Sequence, residues 1–198
     1  MKKRLLLLSL MMGVALTGSA FAAGSGESVA PDRVGKWDMG LGIAGAMNDS
    51  VEDAAYFSTS VSYGVTPYIA LGVEAGWQES DGAEINEEMV GAVPILFDII
   101  VRVPTVHESI VPYGVLGLGA IGVYATNEDG TGSRQGDDVD DIGFGWKLGG
   151  GLDWFLNDRW IFNFEFGYLS ADVELPTSSV TGGDYDFWTI GVALKYVF

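Results

Sequence analysis

The sequence predicts an all-β fold, an eight-stranded antiparallel up-and-down transmembrane β-barrel, and three observations predict it. The first is the C-terminal segment, where Trp188, Ile190, Val192, Leu194, Tyr196 and Phe198 alternate with the smaller set Phe187, Thr189, Gly191, Ala193, Lys195 and Val197, which includes a charge. Successive strand residues point to opposite faces, so one face meets an apolar medium and the other a polar one. The second is that this alternation recurs in eight segments. The third is that the segments follow an N-terminal export signal in a chain without cysteine. A soluble sheet can alternate once; eight repeats behind an export signal describe strands that cross a bacterial outer membrane.

The signal occupies residues 1–22. Lys2, Lys3 and Arg4 form its positive end, Leu5 to Gly18 its apolar stretch, and Ala20-Phe21-Ala22 a small-residue cleavage site. The apolar stretch is short for a spanning helix, which needs about 20 apolar residues. Cleavage after Ala22 leaves a Gly/Ser/Pro-containing periplasmic lead-in at 23–35 and a barrel at 36–198. It also removes three of the ten basic residues and no acid, so the mature balance is 7 against 27, or −20. That charge excludes nucleic-acid binding, which needs basic patches for phosphate. The absence of cysteine excludes disulfides and thiolate metal sites.

Parsing by alternation gives strands near 36–48, 56–66, 68–79, 89–103, 111–126, 142–156, 160–172 and 186–198. The first puts Trp37, Met39, Leu41 and Ile43 toward lipid and Asp38 and Gly40 inward. The second sets Phe57, Val61 and Tyr63 against Ser58, Ser60 and Ser62. In the third, Leu71, Val73, Ala75 and Trp77 oppose Glu74. In the fourth, Val93, Ile95, Phe97, Ile99 and Val101 oppose Asp98 and Arg102. The fifth mixes glycine and aliphatic residues on both faces and has no assignable phase. The sixth puts Ile142, Phe144, Trp146, Leu148, Leu152 and Trp154 outward, with Lys147, Asp153 and several glycines inward. The seventh puts Trp160, Phe162, Phe164, Phe166 and Tyr168 outward and Asn163, Glu165 and Gly167 inward. Glycine normally weakens a strand, but in a narrow barrel it lets strands bend and keeps the interior from overfilling.

Connections alternate short and long, as short periplasmic turns and longer external loops require. The short ones fall at Thr66-Pro67, 104–110 and Asn157-Asp158-Arg159; the long ones at 48–55, 80–88, 127–141 and 173–185. The long loops and their shoulders hold 18 of the 27 acidic residues, opposed only by Arg134. Arg33, Lys36, Arg102, Arg159 and Lys195 map toward the periplasmic end. Trp37, Tyr68, Trp77, Tyr113, Trp154, Trp160, Trp188 and Tyr196 sit near strand ends, where interfacial aromatic girdles lie.

Three stretches carry a family resemblance: Val111-Pro112-Tyr113-Gly114 with the glycine-rich strand after it, Gly145–Asp153, and the aromatic C-terminal strand ending at Phe198. On these the chain resembles the small eight-stranded outer-membrane barrels that include OmpA- and OmpX-like proteins. The resemblance implies a monomer in the bacterial outer membrane, with lipid and lipopolysaccharide around it and no cofactor. It implies that terminal Phe198 is the signal read by the outer-membrane assembly machinery. It does not imply one function, because such a scaffold varies its loops.

Candidate site residues are the polar groups that alternation turns inward: Asp38, Glu74, Asp98, Arg102, Lys147, Asp153, Glu165 and Lys195. An eight-stranded barrel is just wide enough for its side chains to fill, and charges buried there need partners. Two readings stay open for a network drawn from Glu74, Asp98, Arg102, Lys147 and Glu165. It either plugs the barrel, leaving a structural or surface-interaction role, or it gates a low-conductance, porin-like pore for small solutes.

Two further motifs invite chemistry. The acidic loop Gly136–Asp141 offers hard oxygen ligands suited to calcium, but lacks the spacing and terminal Glu of an EF-hand loop. A solvated acidic loop is the simpler reading, and divalent ions bridging it to anionic lipopolysaccharide the alternative. The single histidine, His107, falls in a periplasmic turn, where it cannot serve an outward-facing catalytic site. Neither motif gives a catalytic or metal assignment.

Overall fold

A computed structural model describes residues 33–47, 54–81, 88–103, 109–128, 134–135, 141–173 and 185–198. The strands are β1 (Trp37–Met47), β2 (Ala54–Gly64), β3 (Ile69–Asp81), β4 (Glu88–Arg102), β5 (Ile110–Glu128), the two-residue β6 (Arg134–Gln135), β7 (Asp141–Phe155), β8 (Trp160–Ala171) and β9 (Tyr185–Val197). Each barrel strand lies within two residues of the segment that alternation predicts. All pairings between strands are antiparallel. Neighbours in sequence pair in turn, β6 adds only a two-residue ladder to β5, and β1 pairs with β9. That last pairing leaves no free edge, which is what strands need where lipid offers no hydrogen bonds.

The wall faces lipid with Leu41, Ile43, Val73, Ile95, Phe97, Phe144, Trp154, Phe164 and Leu194, all exposed. In water so large an apolar surface would aggregate; in a bilayer it is the stable arrangement. Every phase that alternation assigns is observed. β5, which alternation leaves without a phase, turns Val111, Tyr113, Val115, Ile121 and Val123 inward and Leu116 and Leu118 outward. Its inner face is as apolar as its outer face, and that is why the pattern vanishes there.

At the end bearing the short turns, the backbone is closed locally. Asn157 Oδ1 accepts from the N–H groups of Arg159 and Trp160 at 2.9 and 3.0 Å, and Thr66 Oγ1 accepts from those of Tyr68 and Ile69 at 3.2 and 2.9 Å. These are the local side-chain turns that Asn and Thr favour. The last residues of the lead-in are tied down as well. Gly35, with φ of 75°, donates to the Gly64 carbonyl at 2.9 Å, and this turn carries the Arg33 side chain into the barrel mouth. Trp37–Tyr63 and Trp160–Tyr196 meet near this end with ring centroids 4.9 Å apart, tilted and edge-on, and Phe166–Trp188 and Tyr168–Trp188 meet near the other at 5.2 and 4.7 Å, the first of these stacked. Tyr113 does not join a girdle: its ring is buried in the lumen.

Candidate functional site in the barrel lumen

Strand register orders the lumen into three levels. At the level nearest the long loops, Leu96, Ile121, Val123, Leu169, Val173, Tyr185 and Phe187 form a buried apolar cluster with Tyr56 and several alanines. Gln78 and the Tyr185 hydroxyl bring polar atoms to this level that have no hydrogen-bond partner among the described residues. Sequence alternation marks this level poorly, because it distinguishes polar from apolar faces and here both are apolar.

At mid-height, Lys147 spans the bore from β7. Its Nζ lies 2.8 Å from Glu74 Oε2 on β3 and 2.7 Å from Glu165 Oε1 on β8. Each carboxylate has a second partner. The Tyr56 hydroxyl donates to Glu74 Oε1 at 2.9 Å, and the Tyr113 hydroxyl donates to Glu165 Oε2 at 2.6 Å. Five strands are thereby tied through one ammonium group that has left water entirely. Charge-assisted bonds of this kind are the strong ones, and they must be, because desolvating the ions costs several kcal/mol each.

Below lies a second charged level. Asp153 sits between Lys195, with Nζ to Oδ1 at 3.1 Å, and Arg102, with Nε to Oδ2 at 3.6 Å. Asn163 Nδ2 donates to Asp153 Oδ1 at 2.8 Å and to the Tyr113 hydroxyl at 2.9 Å, joining this level to the one above. The Lys195 ammonium also stands over the Tyr113 ring, 5.1 Å from its centroid. At the mouth itself Arg33 pairs with Asp38, and the Ser62 hydroxyl donates to the same carboxylate at 2.7 Å. The Arg33 guanidinium lies 5.7 Å from the Phe155 ring centroid.

Of the candidate residues, Glu74, Lys147 and Glu165 meet directly. Arg102 belongs instead to the Asp153 group. Asp98 joins neither: its Oδ1 is buried with no hydrogen-bond partner. It helps to line a cavity of about 60 Å³ of mixed polar and apolar wall, with Ser58, Ser60, Glu74, Glu165, Thr189 and Lys195 among its polar residues. The connecting hydroxyls of Tyr56 and Tyr113 are invisible to a search for charges. Phe198 ends the chain on the outer surface, its ring 5.3 Å from that of Tyr196 and its N–H donating to the Trp37 carbonyl at 2.9 Å. His107 and the acidic loop apart from Asp141 lie outside the described residues. Among the described residues no group of acidic or histidine side chains is placed to hold a metal ion.

A sequence profile of the outer membrane protein beta-barrel domain matches residues 7–198. The chain belongs to that family. It is therefore a protein of the bacterial outer membrane, as its lipid-facing wall requires. No curated protein matches it in sequence. Among solved structures it is similar to Neisserial surface protein A, with a TM-score of 0.61 at 12% identity over 82% of this chain and 96% of that one. It is similar to outer membrane protein W of E. coli, with a TM-score of 0.54 at 14% identity over 84% and 100% of the two chains. The attachment invasion locus protein Ail of Yersinia pestis follows the same fold, with a TM-score of 0.51 at 13% identity over 83% and 99%. At such identities the likeness is one of fold. Family membership establishes the scaffold, and the lumen of this barrel has to be read from its own residues.

Proposed function

We propose that this outer-membrane barrel is a closed structural anchor that works through its external surface, presenting acidic loops rather than passing solutes. The single observation that carries this is the double filling of the lumen: an apolar layer stands above the Lys147 cross-brace. An ion crossing the lumen would have to part both. The first offers little beyond Gln78 and the Tyr185 hydroxyl in exchange for hydration, and in the second Lys147, Glu74 and Glu165 are already paired with one another. Nothing in this arrangement resembles a catalytic constellation, and the role needs no cofactor. Its partners are the surrounding lipid and lipopolysaccharide, whose anionic groups meet the acidic loops through divalent cations, and the assembly machinery that reads the strand ending in Phe198. The barrel acts as a monomer.

The alternative is a gated low-conductance pore, favoured by the cavity beside the cross-brace. Planar-bilayer recording of the refolded chain separates the two, with heat-shifted gel mobility showing that it has folded. An electrically silent barrel is expected. Reproducible conductance steps whose size changes in Glu165→Gln would replace the anchor with the pore.

A further inference from the structure

The charges facing the lumen do not balance. Among the described residues they are Asp38, Glu74, Asp98, Asp153 and Glu165 against Arg33, Arg102, Lys147 and Lys195, five against four. The imbalance is also uneven along the axis. The periplasmic level holds Arg33, Arg102 and Lys195 against Asp38 and Asp153. Mid-height holds Lys147 alone against Glu74, Asp98 and Glu165. Lys147 satisfies two of those three carboxylates, and Asp98 is left over.

Asp98 is placed with care for a group so unprovided. It is only 4% exposed and its Oδ1 has no hydrogen-bond partner. In the register it stands between Gly72 on β3 and Gly117 on β5, with Lys147 the next residue beyond Gly117. The carboxylate occupies the space that Gly117 leaves open. A Cβ on that glycine would fall 2.5 Å from Asp98 Oδ1 and 3.2 Å from Lys147 Cβ. Asp98 thus forms part of the wall of the cavity, together with the hydroxyl-bearing Ser58, Ser60 and Thr189, the two carboxylates that Lys147 holds, the Lys195 side chain and several apolar residues. A cavity of about 60 Å³ has room for roughly two water-sized occupants, at about 30 Å³ of liquid volume each.

We propose that this cavity binds one small, partly hydrated monovalent cation, with Asp98 as its charged ligand. Serine and threonine hydroxyls of the same wall, with retained water, complete an all-oxygen shell. One unit of positive charge is what mid-height needs after Lys147 is counted and the surplus cation of the periplasmic level is set against it. A divalent ion fits less well: it takes about six to eight oxygens, usually from several carboxylates, and among the described residues no such set converges. A proton on Asp98 would also remove the charge, but it needs neither the room nor the hydroxyl lining. The site and its test do not depend on whether the lumen conducts.

The probe is sodium, on the full mature chain refolded in detergent micelles. Sodium-23 relaxation should show a saturable broadening, and the thermal unfolding midpoint should rise with sodium when choline chloride holds ionic strength constant, as binding to the folded state alone requires. Asp98→Asn should abolish both while keeping the heat-shifted mobility of a folded barrel. Broadening that persists undiminished in Asp98→Asn would overturn the proposal. So would an infrared band of a protonated carboxyl in the wild-type protein at neutral pH that disappears in this variant, since Asp98 would then hold a proton. Should the variant fail to fold, the sodium dependence of the wild-type midpoint decides: a midpoint indifferent to sodium against choline overturns the site.

Discussion

The two halves of the lumen close the same bore by opposite means. Toward the long loops, Leu96, Ile121, Val123, Leu169 and Phe187 pack as a soluble protein's core would, through contacts without direction. Toward the short turns, closure depends on Lys147, Asp153, Glu165 and the hydroxyls and amide that join them, each needing a partner at a fixed angle and distance. A barrel whose outer wall must be apolar has freedom of chemistry only inside, and this one spends it unevenly. The apolar half tolerates change because packing degrades by degrees. The charged half does not, because removing one member strands the others in a medium that cannot solvate them.

The largest effect should therefore come from Lys147→Met, which leaves Glu74 and Glu165 facing each other without their shared cation. A loss of about 3–5 kcal/mol is expected from uncompensated buried charge, read by urea unfolding in lipid vesicles. Neutralising both carboxylates in the same chain, with Glu74→Gln and Glu165→Gln, should return most of that loss. If the triple variant is no more stable than Lys147→Met, the directional account of this half fails.

Phe187→Ala tests the other half. It removes a ring that packs 5.9 Å from Tyr56 and 5.7 Å from Tyr185, centroid to centroid. The expected cost is about 3 kcal/mol, the lower end for a buried phenyl, because loss of contact is graded and neighbours relax into the space. Conductance sharpens the contrast. Either substitution alone should leave the barrel silent, since the other level still closes it. The combination Phe187→Ala with Lys147→Met should conduct. A single variant that conducts would show that only one level is a seal.

The same contrast explains what was legible in the sequence. Strand positions, the lipid-facing set and the inward charges Asp38, Glu74, Arg102, Lys147, Asp153 and Lys195 follow from period-two alternation, because in each strand concerned one face is polar and the other is not. The apolar layer escapes that reading, since Ile121 and Val123 on β5 face inward yet look like lipid-facing residues. Tyr113 escapes it for a related reason: an aromatic near a strand end suits a girdle, and only the phase of β5 turns it inward. Arg33 is hidden by its place in the lead-in, before the alternation begins. Which inward charges meet is not readable from alternation, because Lys147 on β7 reaches Glu74 on β3 across the bore, between strands that are far apart in the chain and not paired.

The smallest effect concerns the joint between the two charged levels. Tyr113→Phe removes one hydroxyl, which donates to Glu165 and accepts from Asn163. Glu165 keeps Lys147 and Asn163 keeps Asp153, so no charge is stranded and the cost should be only about 1 kcal/mol. The informative quantity is coupling. With Tyr113 present, Lys147→Met and Asp153→Asn should be non-additive, with an interaction energy of about 0.5–1.5 kcal/mol, because the two sites belong to one chain of hydrogen bonds. In a Tyr113→Phe background the same double-mutant cycle should close to additivity. Coupling that survives the loss of the hydroxyl would mean that the two levels communicate through the charge field of the lumen rather than through the bonded path. The charged half would then behave as a single electrostatic body, and its contrast with the apolar half would rest on charge alone.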